Sequence, residues 1–167
     1  IDENRELLKP PVGNKNLYPD GSDFIVMVVA GPNARKDYHY NETEELFYQL
    51  EGNITVRIQE DGKAVDIHLG PGDMYLLPPR TPHSPVRSAG SIGLVIESVR
   101  KDRKLTDGLL WFCENCNHKL YETYFELTDI EKDFLPRFKE FYGNEELRTC
   151  DNCGHIMEAD ERFVEKT

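Results

Sequence analysis

Positive charge, long apolar segments and cysteine are all scarce in this chain of 167 residues. Its 20 lysines and arginines face 31 aspartates and glutamates, giving a formal net charge of −11. This excess of acid argues against nucleic acid or an anionic membrane as a partner. The longest apolar run, FIVMVVA at Phe24–Ala30, is far too short to span a bilayer. We therefore expect neither a nucleic-acid partner nor a membrane segment.

The use of cysteine suggests metal binding. All four cysteines fall into two CxxC pairs, Cys113 with Cys116 and Cys150 with Cys153. No basic segment followed by an apolar one opens the chain, so we expect no secretory signal and a cytoplasmic location. In that setting two CxxC pairs favour a metal site over a disulfide framework.

Short predicted strands separated by turns fill the chain from Phe24 to about Glu97. Six or more strands at this spacing predict an all-β jelly-roll barrel made of two sheets. A short helical segment, DENRELL, precedes them, and the Pro-rich PPRTPHSP is expected to be a loop. The predicted strands are FIVMVVA, ELFYQLEG, NITVRIQE, VDIHL, MYLL and SIGLVIESV.

The character of the chain changes after a charged linker that begins near Lys101. LLWFCENCNHKLYETYFEL predicts a hairpin that carries the first CxxC pair, and residues 129–142 place their aromatic side chains on one helical face. Pro136 falls inside that helix and is expected to delay or bend it. We predict a barrel with its N-terminal helix at residues 1–105 and a small metal-stapled α/β extension at residues 106–167.

His39, Glu45 and His83 are the candidates for a first metal site. Two imidazoles and one carboxylate form a facial triad that leaves positions open for substrate and O₂, and Fe(II), Mn and Ni suit these donors about equally. Taken singly, either histidine is more often an ordinary turn or loop residue. Strand alternation sends Glu44 and Glu45 to opposite faces, and the spacing favours Glu45 for the interior.

The spacing around these residues resembles the two motifs of the cupin superfamily, His39-x5-Glu45-x6-Gly52 and Gly72-x5-Pro78-x4-His83. The resemblance implies the cupin double-stranded β-helix. Many cupins carry a second histidine two residues after the first, where this chain has an asparagine, Asn41. We therefore expect three ligands rather than four, which leaves room for substrate and O₂.

The two CxxC pairs are the candidates for a second metal site. Four thiolates form a tetrahedral site for Zn or Fe. Asn117 and Gly154 follow the two pairs and tolerate the positive φ that a tight knuckle needs. Four thiolates leave no open position, so the site is expected to be structural or at most electron-carrying. The alternative is a redox dithiol, for which one CxxC pair would suffice.

Longer motifs make the resemblance specific. The chain resembles the 3-hydroxyanthranilate 3,4-dioxygenase family, in the bacterial and fungal form with a rubredoxin-like second metal site. The resemblance covers nearly the whole chain and implies Fe(II) bound by His39, Glu45 and His83, with Fe or Zn bound by the four cysteines. The motifs that carry it are LLKPPVGN, AGPNARKDYH, EELFYQLEGN, GDMYLLPPRTPHSPVR, LVIE, and WFCENC with CDNC.

The same resemblance implies roles for six further residues. Arg35 and Arg87 hold the substrate carboxylate and help to position O₂, and Glu97 faces the hydroxyl and amino groups of the substrate. The implied reaction is extradiol-type ring opening of 3-hydroxyanthranilate to 2-amino-3-carboxymuconate semialdehyde, a quinolinate precursor, in a homodimer. Three more residues are implied to line the pocket: Asn14, Phe47 and Pro85.

Elementary chemistry supports these roles and also leaves alternatives. Arg35 lies four residues before His39 and Arg87 four after His83, and a guanidinium can bind a carboxylate through two parallel hydrogen bonds. Surface ion pairs are the alternative for both arginines. Glu97 closes the apolar strand LVIE, where a buried carboxylate without a partner is costly, so it is either exposed or functional. Two other functions stay open: a cupin dioxygenase for another small carboxylated substrate, and a metal-binding cupin without enzymatic activity.

Overall fold

The computed structural model describes residues 1–8, 13–20, 23–33, 35–100, 104–128 and 130–164. Parts of five predicted features lie outside the described residues: the N-terminal motif at 9–12, the AGPNARKDYH motif at 34, the charged linker at 101–103, the helix start at 129 and the C-terminal extension at 165–167. Within the described ranges, no helix combines the length and apolarity that a membrane crossing requires.

The described residues form short strands first and helices last. A 3₁₀ helix at Asp2–Leu8 occupies the predicted N-terminal helical segment. The strands are β1 (Asn14–Asn16), β2 (Phe24–Ala30), β3 (Asp37–Tyr40), β4 (Glu45–Glu51), β5 (Ile54–Glu60), β6 (Lys63–Leu69), β7 (Met74–Leu77), β8 (His83–Arg87), β9 (Ile92–Ser98), β10 (Thr106–Phe112) and β11 (Lys119–Glu126); the helices are α1 (Ile130–Gly143) and α2 (Glu145–Arg148).

The strands form two antiparallel sheets that pack face to face. One sheet has the order β1-β2-β9-β4-β7, and the other has the order β11-β10-β3-β8-β5-β6. Phe47 and Val95 from the first sheet share a core with Val56 and Ile58 from the second. Alternation explains the packing, because residues 45, 47 and 49 of β4 are buried while those between them are less so. The predicted all-β, cupin-type jelly roll is confirmed.

Three strands appear where the sequence pattern predicts none, and two of them, β3 (DYHY) and β8 (HSPVR), adjoin the candidate metal site, while the third is the short β1. β8 takes the place of part of the expected Pro-rich loop. It pairs with β5 along its length but with β3 only at His83 and His39. Pro85 therefore lies where β8 has a paired neighbour on one side only, a position at which a sheet tolerates a missing N–H. β3 and β8 each carry one histidine of the predicted triad.

The C-terminal part begins within the barrel sheet. β10 pairs with β3 and with β11, forming the predicted hairpin that carries the first CxxC pair. α1 begins at Ile130, so Pro136 lies inside the helix and does not delay its start. The aromatic face of α1 packs on Trp111, with ring centroids of Phe141 and Phe138 at 4.3 and 6.1 Å. The division between residues 105 and 106 stays a prediction, and sheet pairing joins the two parts across it.

Candidate functional site

Three strands bring the predicted triad together inside the barrel. His39 on β3 lies directly opposite His83 on β8, and Glu45 begins β4 in the facing sheet. One possible ligand atom from each residue lies within 4.8 Å of the other two. The side chains of His83 and Glu45 are only 1% and 7% exposed. Two imidazole nitrogens and a carboxylate at this separation fit one divalent ion held from one side.

Neighbouring polar groups orient two of these side chains. His83 Nδ1 lies 3.0 Å from the Thr81 carbonyl oxygen, so a proton on Nδ1 leaves Nε2 with the lone pair that a metal needs. Asn41 Nδ2 donates to Glu45 Oε2 at 3.1 Å, and His83 Nε2 lies 3.1 Å from the same oxygen. Asn41 thus stands where a four-ligand cupin has its additional histidine, and here it holds the Glu45 carboxylate.

Two buried carboxylates, Glu45 and Glu97, are cross-strand neighbours on β4 and β9. Burial acts to raise the pKa of Glu45, but the charge and hydrogen bond of His83, together with His39, hold that pKa well below its usual range. Burial and the negative charge of Glu45 raise the pKa of Glu97, against the opposing effect of Arg100. The site therefore combines one carboxylate held ionised with another that is more easily protonated.

A buried ion cluster extends from Glu97 to the triad. Arg100 Nη2 lies 2.7 Å from Glu97 Oε2, and Arg100 Nε lies 3.2 Å from both carboxylate oxygens of Asp107. Asp107, fully buried on β10, lies 2.8 Å from His39 Nε2. Sequence reasoning misses Arg100 and Asp107, because both look like part of the charged linker and nothing in the pattern marks them as buried.

The two predicted carboxylate-binding arginines have different surroundings. Arg35 forms an ion pair with Asp37, whose side chain is 5% exposed, so its partner is a buried carboxylate and not a surface group. Arg87 is 3% exposed, and its Nη1 atom has no hydrogen-bond partner among the described residues. Burial and the charge of Arg35 lower the pKa of Arg87 to about 10, although Glu45 opposes this. A buried guanidinium with an unused N–H can bind an anionic group.

One of the three predicted lining residues contacts the triad, and a second is buried on a strand that carries a triad histidine. The Phe47 ring centroid is 6.0 Å from that of His83, and Pro85 is buried on β8. Asn14 lies exposed on β1, which β2 separates from β9. Gln49, which sequence reasoning does not single out, is fully buried two positions beyond Phe47. Its Oε1 atom has no hydrogen-bond partner within the described ranges.

The four cysteines meet at the end of the β10–β11 hairpin. The Sγ atoms of Cys113 and Cys153 are 3.6 Å apart, as are those of Cys116 and Cys150, and all four lie within 4.8 Å of one another. A disulfide has an S–S distance of about 2.05 Å. The cysteines are therefore free thiols, and their separations fit four ligands around one ion.

The two cysteine knuckles have the same backbone geometry. In each, the residue after the second cysteine donates its N–H to the carbonyl of the first, Asn117 to Cys113 at 2.9 Å and Gly154 to Cys150 at 2.8 Å. Both donors have positive φ, 58° and 73°. The predicted positive-φ positions are confirmed.

Asparagine side chains link the two knuckles. Asn115 Nδ2 lies 3.5 Å from Cys153 Sγ, and Asn152 Nδ2 lies 3.5 Å from Cys116 Sγ. The Asn115 contact and a backbone N–H at residue 155 lower the pKa of Cys153 to about 6. Each asparagine therefore contacts a cysteine of the other pair. The sequence feature that could predict these contacts is the repeated pattern of cysteine, acidic residue, asparagine and cysteine in CENC and CDNC.

Known proteins similar to this chain match it along most of their length. The family model described as 3-hydroxyanthranilic acid dioxygenase matches residues 1–142. A protein of Xanthomonas oryzae pv. oryzae named 3-hydroxyanthranilate 3,4-dioxygenase is 57% identical over 164 residues, 98% of this chain and 92% of that protein. A protein of Bacillus thuringiensis with the same name is 47% identical over 158 residues, 94% of this chain and 87% of that protein. Among solved structures, a cupin-2 domain protein from Shewanella frigidimarina aligns with a TM-score of 0.49 at 18% identity, over 59% of this chain and 91% of that one.

Proposed function

This chain belongs to the 3-hydroxyanthranilic acid dioxygenase family, and on that premise we propose that it opens the aromatic ring of 3-hydroxyanthranilate with O₂. The product is 2-amino-3-carboxymuconate semialdehyde, a quinolinate precursor. The observation that carries the proposal is the open triad of His39, Glu45 and His83. In the same barrel lies a buried arginine, Arg87, whose Nη1 has no hydrogen-bond partner among the described residues.

Fe(II) is the metal proposed for the triad. When bound, Fe(II) supplies a centre at which substrate and O₂ meet and through which electrons pass between them. The chain holds the donors for it in place: the Thr81 carbonyl orients His83, and Asn41 orients Glu45. Glu45 must be ionised to act as a ligand, and the positive charge of a bound cation favours that form.

Arg87 is proposed to bind the substrate carboxylate, with Arg35 adding positive charge beside it. In a chain of net charge −11, an anionic substrate needs such a local positive field. The substrate carboxylate gives Arg87 Nη1 an acceptor that the described part of the chain does not supply, and the low exposure of Arg87 strengthens the resulting ion pair. Phe47 and Pro85 offer apolar contacts to the ring, and Asn14 stays a predicted lining residue.

Glu97 is proposed as the base that accepts the proton of the substrate hydroxyl. Its raised pKa moves it toward the range in which a group can both take up and return a proton near neutral pH. Burial keeps bulk water from competing for that proton, since Glu97 is 6% exposed.

One Zn or Fe ion is proposed for the four cysteines. Four thiolates complete the coordination of such an ion, which suits a structural role. The ion ties the β10–β11 hairpin to the segment after α2, and so adds stability to a part of the chain that is small for an independent core.

A cytoplasmic location, a homodimer and the division at residues 105 and 106 are also proposals. Unbridged cysteines fit a reducing compartment.

The homodimer is supported by an exposed apolar surface on β7. Met74 and Leu76 are 66% and 54% exposed, which gives a second copy an apolar surface to cover. Sedimentation equilibrium should give a dimer mass for the wild type and a lower mass for Leu76→Glu. A monomer mass for the wild type would contradict the homodimer.

The activity is tested by mixing Fe(II)-loaded protein with 3-hydroxyanthranilate without air, and then admitting air. We expect oxygen uptake in step with substrate loss, with the semialdehyde and then quinolinate detected by mass spectrometry. 2-Aminophenol, which lacks the carboxylate, is the matched control and should react poorly. Absence of oxygen uptake would overturn the proposal, and faster turnover of another carboxylated aromatic would favour that compound as the substrate.

A further inference from the structure

Glu97, Arg100, Asp107 and His39 form a continuous line of contacts from the proposed base to a proposed metal ligand. Glu97, Arg100 and Asp107 are 6%, 7% and 0% exposed. Burying three ionisable side chains together is costly unless each has a well-placed partner. Arg100 lies between the two carboxylates and contacts both, and Asp107 reaches the His39 ring. The cluster adjoins the triad, so the free-energy cost of burying these groups falls beside the proposed reaction site.

We propose that Arg100 and Asp107 are positioning residues for the reaction, with Arg100 holding the Glu97 carboxylate and Asp107 holding the His39 imidazole. This inference rests on the proposed function, from which Glu97 and His39 take their roles. Arg100 acts through Glu97, so its loss should lower kcat. Asp107 acts through His39, so its loss should weaken Fe(II) binding.

The geometry of Arg100 suits orientation more than simple charge balance. Its planar guanidinium is used in three directions: Nε points to both oxygens of Asp107 at 3.2 Å, Nη1 donates to the Ser98 carbonyl at 3.2 Å, and Nη2 lies 2.7 Å from Glu97 Oε2. The Nη2 contact is close but not aligned as a hydrogen bond. The bonds to Asp107 and Ser98 fix the guanidinium plane, so Nη2 has a fixed position beside Glu97. The Glu97 carboxylate stays able to take a proton from another direction. A lysine ammonium cannot reproduce this planar fork.

Asp107 completes a carboxylate–histidine pair with His39. An imidazole N–H that donates to Asp107 fixes the ring and its tautomer, so the other ring nitrogen carries the lone pair for a metal. Sheet pairing places Asp107 close to His39. Leu109, two residues further along β10 and on the same face of the strand, pairs with His39 on β3. The His39 ring also contacts Phe134 of α1, with ring centroids 5.6 Å apart.

Two conservative variants separate the two roles. Arg100→Lys should lower kcat by about 10- to 100-fold, less than the 10²–10⁴ expected for loss of a base, while KM and iron content stay unchanged. Asp107→Asn should weaken Fe(II) binding at the triad by about 10- to 100-fold. That affinity is measured without substrate, by competition with a chelator while the four-cysteine site stays loaded.

A double variant tests whether Arg100 acts through Glu97. In a Glu97→Gln background, Arg100→Lys should cause no further loss of kcat, because residues acting as one unit are not additive. Arg148→Lys is the matched control. Within the ranges that the structure describes, the Arg148 side chain donates only to the carbonyls of Tyr142 and Met157, so this variant should lower stability and leave kcat unchanged.

Three results would overturn the inference: wild-type kcat in Arg100→Lys, an independent further loss in the double variant, or unchanged Fe(II) affinity in Asp107→Asn. Circular dichroism and the metal content of the four-cysteine site report whether each variant folds. Should a single variant not fold, Arg100→Gln with Asp107→Asn removes opposite charges together and gives the same readouts. A wild type that does not consume 3-hydroxyanthranilate would overturn the proposed function and, with it, the role of Arg100. The Fe(II) affinity of Asp107→Asn would still decide the role of Asp107.

Discussion

The two candidate metal centres of this protein are built in opposite ways. The triad takes different donor types from three strands, β3, β4 and β8, and is surrounded by buried charges. The four-cysteine centre takes identical donors from two short turns whose backbone and asparagine contacts repeat. The open centre therefore depends on a sheet to hold unlike groups in place, whereas the closed centre needs only two copies of one local motif.

The largest expected effect comes from removing a donor of the open centre. His83→Ala should abolish turnover, since it leaves two of the three donors and removes the ring fixed by the Thr81 carbonyl. Metal analysis should show that the triad ion is lost while the four-cysteine ion remains. Glu45→Ala should behave in the same way. Loss of both ions in either variant would show that the two centres are coupled and not independent.

Removing a donor of the closed centre should act on stability instead. Cys113→Ser replaces a buried ligand and should lower the free energy of unfolding by more than about 4 kcal/mol, as loss of a structural metal does. Thermal unfolding measures the loss, and turnover per folded molecule should stay at the wild-type level. Complete loss of turnover in folded protein would instead indicate electron transfer through this centre.

A smaller effect is expected at the edge of the open centre. Arg87→Met removes a charged hydrogen-bond donor, worth about 1.5–3 kcal/mol, so KM for 3-hydroxyanthranilate should rise by roughly 10- to 150-fold. Iron content should not change, because Arg87 is not one of the triad donors. The comparison variant is Arg57→Met, at an exposed ion pair with Asp66, which should leave KM unaltered. An iron loss in Arg87→Met that matches the KM change would contradict a substrate-binding role.

Features set by local pattern can be predicted from the sequence, and features set by long-range pairing cannot. Alternation in β4 correctly sends Glu45 inward and leaves Glu44 exposed. The knuckle positions are equally local. β3 and β8 escape prediction because four or five residues containing histidine and proline carry too little strand pattern.

The buried charges escape for a different reason. The sequence around Asp107 does not predict its contact with His39, because the pairing of β10 with β3 joins residues nearly seventy positions apart. The sequence predicts the candidate ligands of both centres, which the structure brings together. The buried charges beside the open centre depend on the assembled sheets.

The smallest effects should come from the two asparagines of the closed centre, and they test whether its halves are equivalent. Asn115→Ala and Asn152→Ala each remove one N–H···S contact of 3.5 Å, so each should weaken ion binding by about 0.5–1.5 kcal/mol. The repeated geometry predicts equal losses, measured by chelator competition. Asn144→Ala is the control, because it removes the cap of α2 and should lower stability without changing ion affinity. If only one of the two asparagine variants loses ion affinity, the two knuckles contribute unequally to ion binding.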